Sequence, residues 1–95
     1  MAAYVVAQVQ VTDWERFKGY IAKTPQTIAA HGGRYVARGG ETVVFEGAGE
    51  GTRVVLIEFP SLAQAKAWYA SAEYQQIKGL RAGAATGSLI AVAGC

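Results

Sequence analysis

From Tyr4 to Val11 two kinds of side chain alternate. Val5, Ala7, Val9 and Val11 fall on one side of an extended chain, and Tyr4, Val6, Gln8 and Gln10 on the other. The period then changes. Trp14, Phe17, Ile21 and Ile28 recur at helical spacing behind Thr12-Asp13-Trp14-Glu15, a capping box in which the Thr12 hydroxyl is expected to accept from the Glu15 amide. Pro25 has no amide hydrogen and its ring crowds the preceding turn, so a kink or break is expected near Thr24. Gly32 suits the left-handed residue that ends a helix. Alternation returns from Arg34 to Phe45, with Gly39-Gly40 as a bulge or bend. Gly47 to Gly51 reads as a hairpin loop, and Arg53 to Phe59 as a strand rich in β-branched residues. Ser61-Leu62-Ala63-Gln64 starts a second helix carrying Ala65, Trp68 and Tyr69. Ser71 caps a further helical segment through Tyr74, Ile77 and Arg81, and Ser88 to Ala93 is the last strand.

The order is β-α-β-β-α-β. Two split halves joined by a hairpin predict an α+β, ferredoxin-like antiparallel sheet with helices on one face, as a single domain over residues 1–95. The helices are expected to cover Val5, Ala7, Val9, Val55, Ile57 and Phe59. The uncovered face then holds Tyr4, Val6, Gln8, Gln10, Val54, Leu56 and Glu58, which is partly apolar. Composition sharpens this point. Hydrophobic residues make up 52% of the chain and charged residues 17%, against roughly 25% charged in an ordinary domain. A chain of this size buries only about 60–65% of its unfolded surface. Both observations predict a homodimer that packs two open faces into a barrel with a polar-lined interior.

Several short stretches carry a resemblance. Tyr4-Val5-Val6-Ala7, Thr12-Asp13, Ala30-His31-Gly32-Gly33-Arg34-Tyr35 and Arg38-Gly39-Gly40 occur in this order. Val55-Leu56-Ile57-Glu58-Phe59-Pro60-Ser61, Ala67-Trp68-Tyr69, Ser71-Ala72-Glu73-Tyr74-Gln75 and Leu80-Arg81 follow. Together they resemble the small bacterial family known as domain of unknown function 1330, of the dimeric α+β barrel superfamily. Ala72 departs from the pattern, which usually has proline there. The resemblance implies the fold and the dimer and supplies no substrate. Superfamily relatives include cofactor-free monooxygenases, lactone isomerases and haem- or chlorite-handling enzymes.

Candidate chemistry clusters around residues 31–40. His31 is the only histidine, at an expected helix C-terminus. There it is either a donor to the last free carbonyls or a general acid–base. Arg34 and Arg38 are four apart on one expected strand face, as rim charges or as planar donors to a carboxylate or enolate. Glu58 interrupts an apolar strand, so it needs a partner such as Arg38 or acquires a raised pKa. These considerations make His31, Arg38 and Glu58 the candidate catalytic set. Gln8, Arg34, Tyr69 and Arg81 are candidate ligand contacts, with Tyr69 and Arg81 alternatively serving the core edge and a loop carbonyl. The expected function is action on a small aromatic or carboxylated metabolite without a bound cofactor, monooxygenase- or isomerase-like. The alternative is a ligand-binding or structural dimerisation module without chemistry.

The exclusions are firmer. The net charge of +2 is scattered, with no basic run, so nucleic acid is not an expected partner. No apolar run approaches membrane length. One histidine and one cysteine give no metal-ligand spacing. Gly47-x-Gly49-x-Gly51 lies between strands rather than before a helix, so it is not a phosphate loop. Met1-Ala2-Ala3 lacks the charged start of a signal peptide, and the lone Cys95 fits a reducing cytoplasm, the expected location.

Overall fold

A computed structural model describes Met1–Cys95. The elements are β1 (Ala3–Val11), α1 (Trp14–Ala30), β2 (Arg34–Arg38), β3 (Arg53–Phe59), α2 (Leu62–Ala70), α3 (Ala72–Lys78), a 3₁₀ turn (Gly79–Arg81) and β4 (Ala85–Ala93). The strands form one antiparallel sheet in the order β2-β3-β1-β4, the ferredoxin-like arrangement the element order predicts. No helix is long and apolar enough to cross a membrane.

Register assigns every strand residue to a face. Tyr4 pairs with Glu58 and Val92, Val6 with Leu56 and Ile90, and Gln8 with Val54 and Ser88. These residues form the face without helices. The opposite face carries Ala3, Val5, Ile57 and Phe59, which are buried. Against them pack Ile28 of α1, Ala65 and Trp68 of α2, and Tyr74 of α3. A fully buried side chain of this kind contributes about 1.5–3 kcal/mol, so the α2–α3 end of this layer is the stable part of the molecule.

Local sequence explains the helix ends, with one change. The N-cap of α1 is Asp13, whose side chain accepts from the Arg16 amide. Thr12 does not cap; its amide instead donates to the Ala84 carbonyl beside β4. Ser61 and Ser71 cap α2 and α3 as expected, accepting from the Gln64 and Tyr74 amides. At the other end of α1 the Gly33 amide donates to Ile28 and the Gly32 amide to Ala29. Gly32 sits at φ 76°, so the two orphan carbonyls are satisfied in the left-handed conformation that glycine adopts without strain.

Two elements differ in extent from the expectation, a break at Pro25 and a strand reaching Phe45. α1 runs unbroken through Pro25. β2 ends at Arg38 rather than Phe45, because the chain turns away at Gly39, with φ 66°. Val43 and Phe45 are therefore exposed, not paired.

Candidate functional site

A cavity of about 130 Å³ lies under the first half of α1, between that helix and the sheet. Its floor is apolar, made by Ala7, Val9, Val55 and Ile57, with Phe17 and Trp68 above. For scale, an apolar cavity of about 150 Å³ admits benzene. Three guanidinium groups reach this space, from Arg38, Arg53 and Arg81, and no carboxylate or imidazole lines it. The two salt bridges in the molecule, Lys18–Glu15 and Arg34–Glu58, involve none of the three.

Each arginine is held by a different device. Pro25 cannot donate to the carbonyl four residues back, which is that of Ile21. Arg38 Nη2 donates to this carbonyl instead, at 3.2 Å. The Arg38 guanidinium also lies over the Tyr35 ring, 4.5 Å from its centroid. Arg53 lies over Trp14, 5.9 Å from the ring centroid. Its guanidinium rests on Gly39, where any Cβ would collide with it. Arg81 lies over Tyr20, 5.5 Å from the ring centroid, and the Tyr20 and Tyr74 hydroxyls are 2.8 Å apart. Burial pushes the Tyr20 phenol well above its ordinary pKa, reinforced by Tyr74 and opposed by Arg81. Burial likewise raises Tyr35 against the pull of Arg38 and Arg53. Both phenols therefore stay protonated at neutral pH, as hydrogen-bond donors rather than bases.

The expected catalytic set of His31, Arg38 and Glu58 is not gathered in one place. The reason for Glu58 is a β-bulge. Tyr35 pairs with Ile57 and Ala37 with Leu56, leaving Val36 as the extra residue. This shift turns Arg34 and Arg38 to opposite faces of the sheet, not the same one. Arg34 lies opposite Glu58 on the open face, and its Nε donates to Glu58 Oε1 at 2.8 Å. Glu58 thus pairs with Arg34, not Arg38. Tyr4 donates to the other carboxylate oxygen at 3.0 Å. The Glu58 carboxylate, accepting that bond, holds the Tyr4 phenol above its ordinary value.

His31 lies outside the cavity. It is the C-cap of α1, and its Nδ1 is 3.0 Å from the Thr27 carbonyl. A carbonyl only accepts, so Nδ1 carries the proton. The ring borders a shallow outer groove with Lys23, Gln26 and Glu73. Gln8 is on the open face, donating to Thr52 at 3.3 Å. Tyr69 is on the outer surface, where the hydrogen bond from Lys78 lowers its phenol. Of the seven expected site residues, Arg38 and Arg81 share the cavity. The cavity lies under the helices, on the covered side of the sheet.

Arg53, Tyr20 and Tyr35 are lining residues that sequence reasoning passed over as site candidates. Arg53 was legible: it stands at period two with Val55, Ile57 and Phe59 and so belongs to the covered face. Tyr20 sits three residues after Phe17, on the same side of α1. No group of three potential metal-ligating side chains is present.

A βαββαβ fold with a helix-covered cavity and a bare sheet face defines a ferredoxin-like α+β protein. More narrowly, the chain belongs to the DUF1330 family, a domain of unknown function whose pattern matches residues 2–95. No curated protein sequence matches it. Among solved structures it is similar to RPA0582, a protein of unknown function from Rhodopseudomonas palustris. That match has 18% identity and a TM-score of 0.77, covering 99% of this chain and 82% of that one. SnoaB, a cofactor-independent oxygenase from Streptomyces nogalater, matches at 14% identity and a TM-score of 0.70, covering 99% and 93%. A dimeric ferredoxin-like protein of unknown function from Jannaschia sp. CCS1 matches at 14% identity and a TM-score of 0.64, covering 95% and 98%.

Proposed function

We propose that this protein takes a small organic anion into the cavity under α1 and acts on it without a bound cofactor, in an oxygenase- or isomerase-like reaction. One observation carries the reading: three guanidinium groups surround an apolar space of one-ring size with no carboxylate to neutralise them. Such a field favours a negative ligand and a developing oxyanion. The resemblance of the fold to a cofactor-independent oxygenase supports the reaction class. Arg38, Arg53 and Arg81 are the anion contacts in this reading, and Trp68 is the apolar wall.

A thermal-shift screen with small aromatic acids tests the reading. A ligand at a hundred times its Kd stabilises the native state by about 2.7 kcal/mol, a rise of several degrees in Tm. Arg38→Gln is expected to reduce that rise, and His31→Ala to leave it intact because the imidazole is outside the cavity. No rise with any acid, or equal rises in both variants, would sink the assignment. The lack of any carboxylate or imidazole in the lining favours a second reading, binding without turnover. Saturable binding with no product formed under air would select it.

The reading also includes a homodimer joined through the open sheet face. Val6, Leu56, Ile90 and Val92 form a contiguous apolar strip there by register, and Ile90 and Val92 are more than half exposed. The Arg34–Glu58–Tyr4 row lies beside the strip and gives it a direction. Ile90→Glu is expected to turn a dimer into a monomer in sedimentation velocity; a monomeric wild type removes this part of the proposal.

A further inference from the structure

The cavity has two unlike ends, and the difference names a ligand. Arg38 ends β2 and Arg53 begins β3, on one side of the sheet; both guanidiniums act on the Tyr35 phenol. Arg81 enters from the opposite side, just before β4, and acts on Tyr20. The first end offers two full charges, and Arg38 is solvent-exposed at its rim. A carboxylate seated there keeps part of its hydration, so its desolvation cost stays small. The second end is more enclosed. It offers a half-buried guanidinium and the Tyr20 hydroxyl, which is held from behind by the Tyr74 hydroxyl at 2.8 Å. The Tyr20 phenol, raised by burial, suits a neutral acceptor there, a carbonyl or a hydroxyl oxygen. Between the ends the walls are apolar: Val9, Phe17, Val55 and Trp68.

We infer, building on the proposed anion cavity, that the ligand is a one-ring or similarly small carboxylic acid with a carbonyl or hydroxyl oxygen at its far end. The carboxylate seats between Arg38 and Arg53, and the far oxygen accepts from Arg81 and the Tyr20 hydroxyl. The groups facing this ligand are Tyr20 from α1, Tyr35 and Arg38 from β2, Arg53 from β3 and Arg81 from the 3₁₀ turn. Burial raises the Tyr20 and Tyr35 phenols above their ordinary range, and no carboxylate or imidazole lines the cavity, so affinity for the carboxylate is expected to be flat between about pH 6 and 8.

The test is calorimetric titration of the full chain with three probes: 4-formylbenzoate, its methyl ester, and 4-methylbenzoate. The ester lacks the charge and the methyl compound lacks the far oxygen. The acid is expected to bind about tenfold or more tightly than the ester, the difference that hydrogen bonds to charged groups make. It should bind about threefold to tenfold more tightly than 4-methylbenzoate, the range for neutral acceptors. Arg38→Gln should narrow the first gap alone and Arg81→Gln the second alone, while Arg38→Lys and Arg81→Lys retain charge and most of each gap. Equal binding of all three probes, or variants that narrow both gaps together, would overturn the two-ended assignment while leaving an anion cavity in place. Binding of none of the probes, or of any other small acid, would overturn both.

Discussion

Replacing Trp68 by alanine is expected to cost about 3–5 kcal/mol of folding stability, the range for removing a buried large aromatic. The residue is 1% exposed. Its ring centroid lies 4.3 Å from that of Tyr74 and 5.4 Å from that of Phe59. It therefore ties α2, α3 and β3 together at one point. Its Nε1 donates to the Thr27 hydroxyl of α1 at 3.0 Å, adding the fourth element. That hydroxyl also donates to the Thr24 carbonyl at 2.8 Å, so the substitution does not orphan it. The loss is in packing and transfer free energy, compounded by a void that opens into the existing cavity. For a domain near 100 residues, Tm should fall by more than about 10 °C. Trp68→Phe separates the two contributions, since it keeps most of the apolar surface and removes the donor; about 1–2 kcal/mol is expected. Thermal unfolding followed by circular dichroism reads both variants. A loss of under about 1 kcal/mol for the alanine variant would show that the four elements are not keyed through this ring.

Much of this architecture can be read from local pattern. The alternation in Tyr4–Val11 and Arg53–Phe59 separates the covered face from the bare one residue by residue, and the observed register agrees. Ser61 and Ser71 cap where short-range chemistry places them. The features that escaped are non-local. Nothing in Arg34-Tyr35-Val36-Ala37-Arg38 shows that Val36 bulges, because the bulge exists only relative to β3. That single extra residue decides which arginine meets Glu58 and which meets the cavity, so Arg38 lines the cavity while Glu58 lies on the other face. His31 lies apart from the cavity for a related reason. A lone imidazole at a helix end satisfies a carbonyl of its own helix, which sequence spacing cannot distinguish from a pocket-facing base. The arginine field under α1 depends on side chains from β2, β3 and the turn before β4 converging, and only the fold brings them together.

Pro25 is the sharpest case of long-range rescue, and Pro25→Ala should move stability and binding in opposite directions. A proline inside a helix costs about 3 kcal/mol relative to alanine. Here the cost is reduced, because Arg38 donates to the carbonyl of Ile21 that the missing amide leaves free. Alanine restores that amide, which then competes with Arg38 for the same oxygen. Greater freedom of the unfolded chain takes back about 0.4–1 kcal/mol. The net expectation is a gain of about 1–2 kcal/mol in unfolding free energy, measured by urea titration at unchanged m-value. Arg38 meanwhile loses the anchor that fixes its guanidinium at the rim. Affinity for a small carboxylate should drop by about threefold to tenfold, the share of one hydrogen bond. The double variant with Arg38→Gln should show no further loss, since both changes act through one contact. Additive losses, or a Pro25→Ala protein no more stable than the wild type, would mean that the amide missing at Pro25 does not serve to position Arg38.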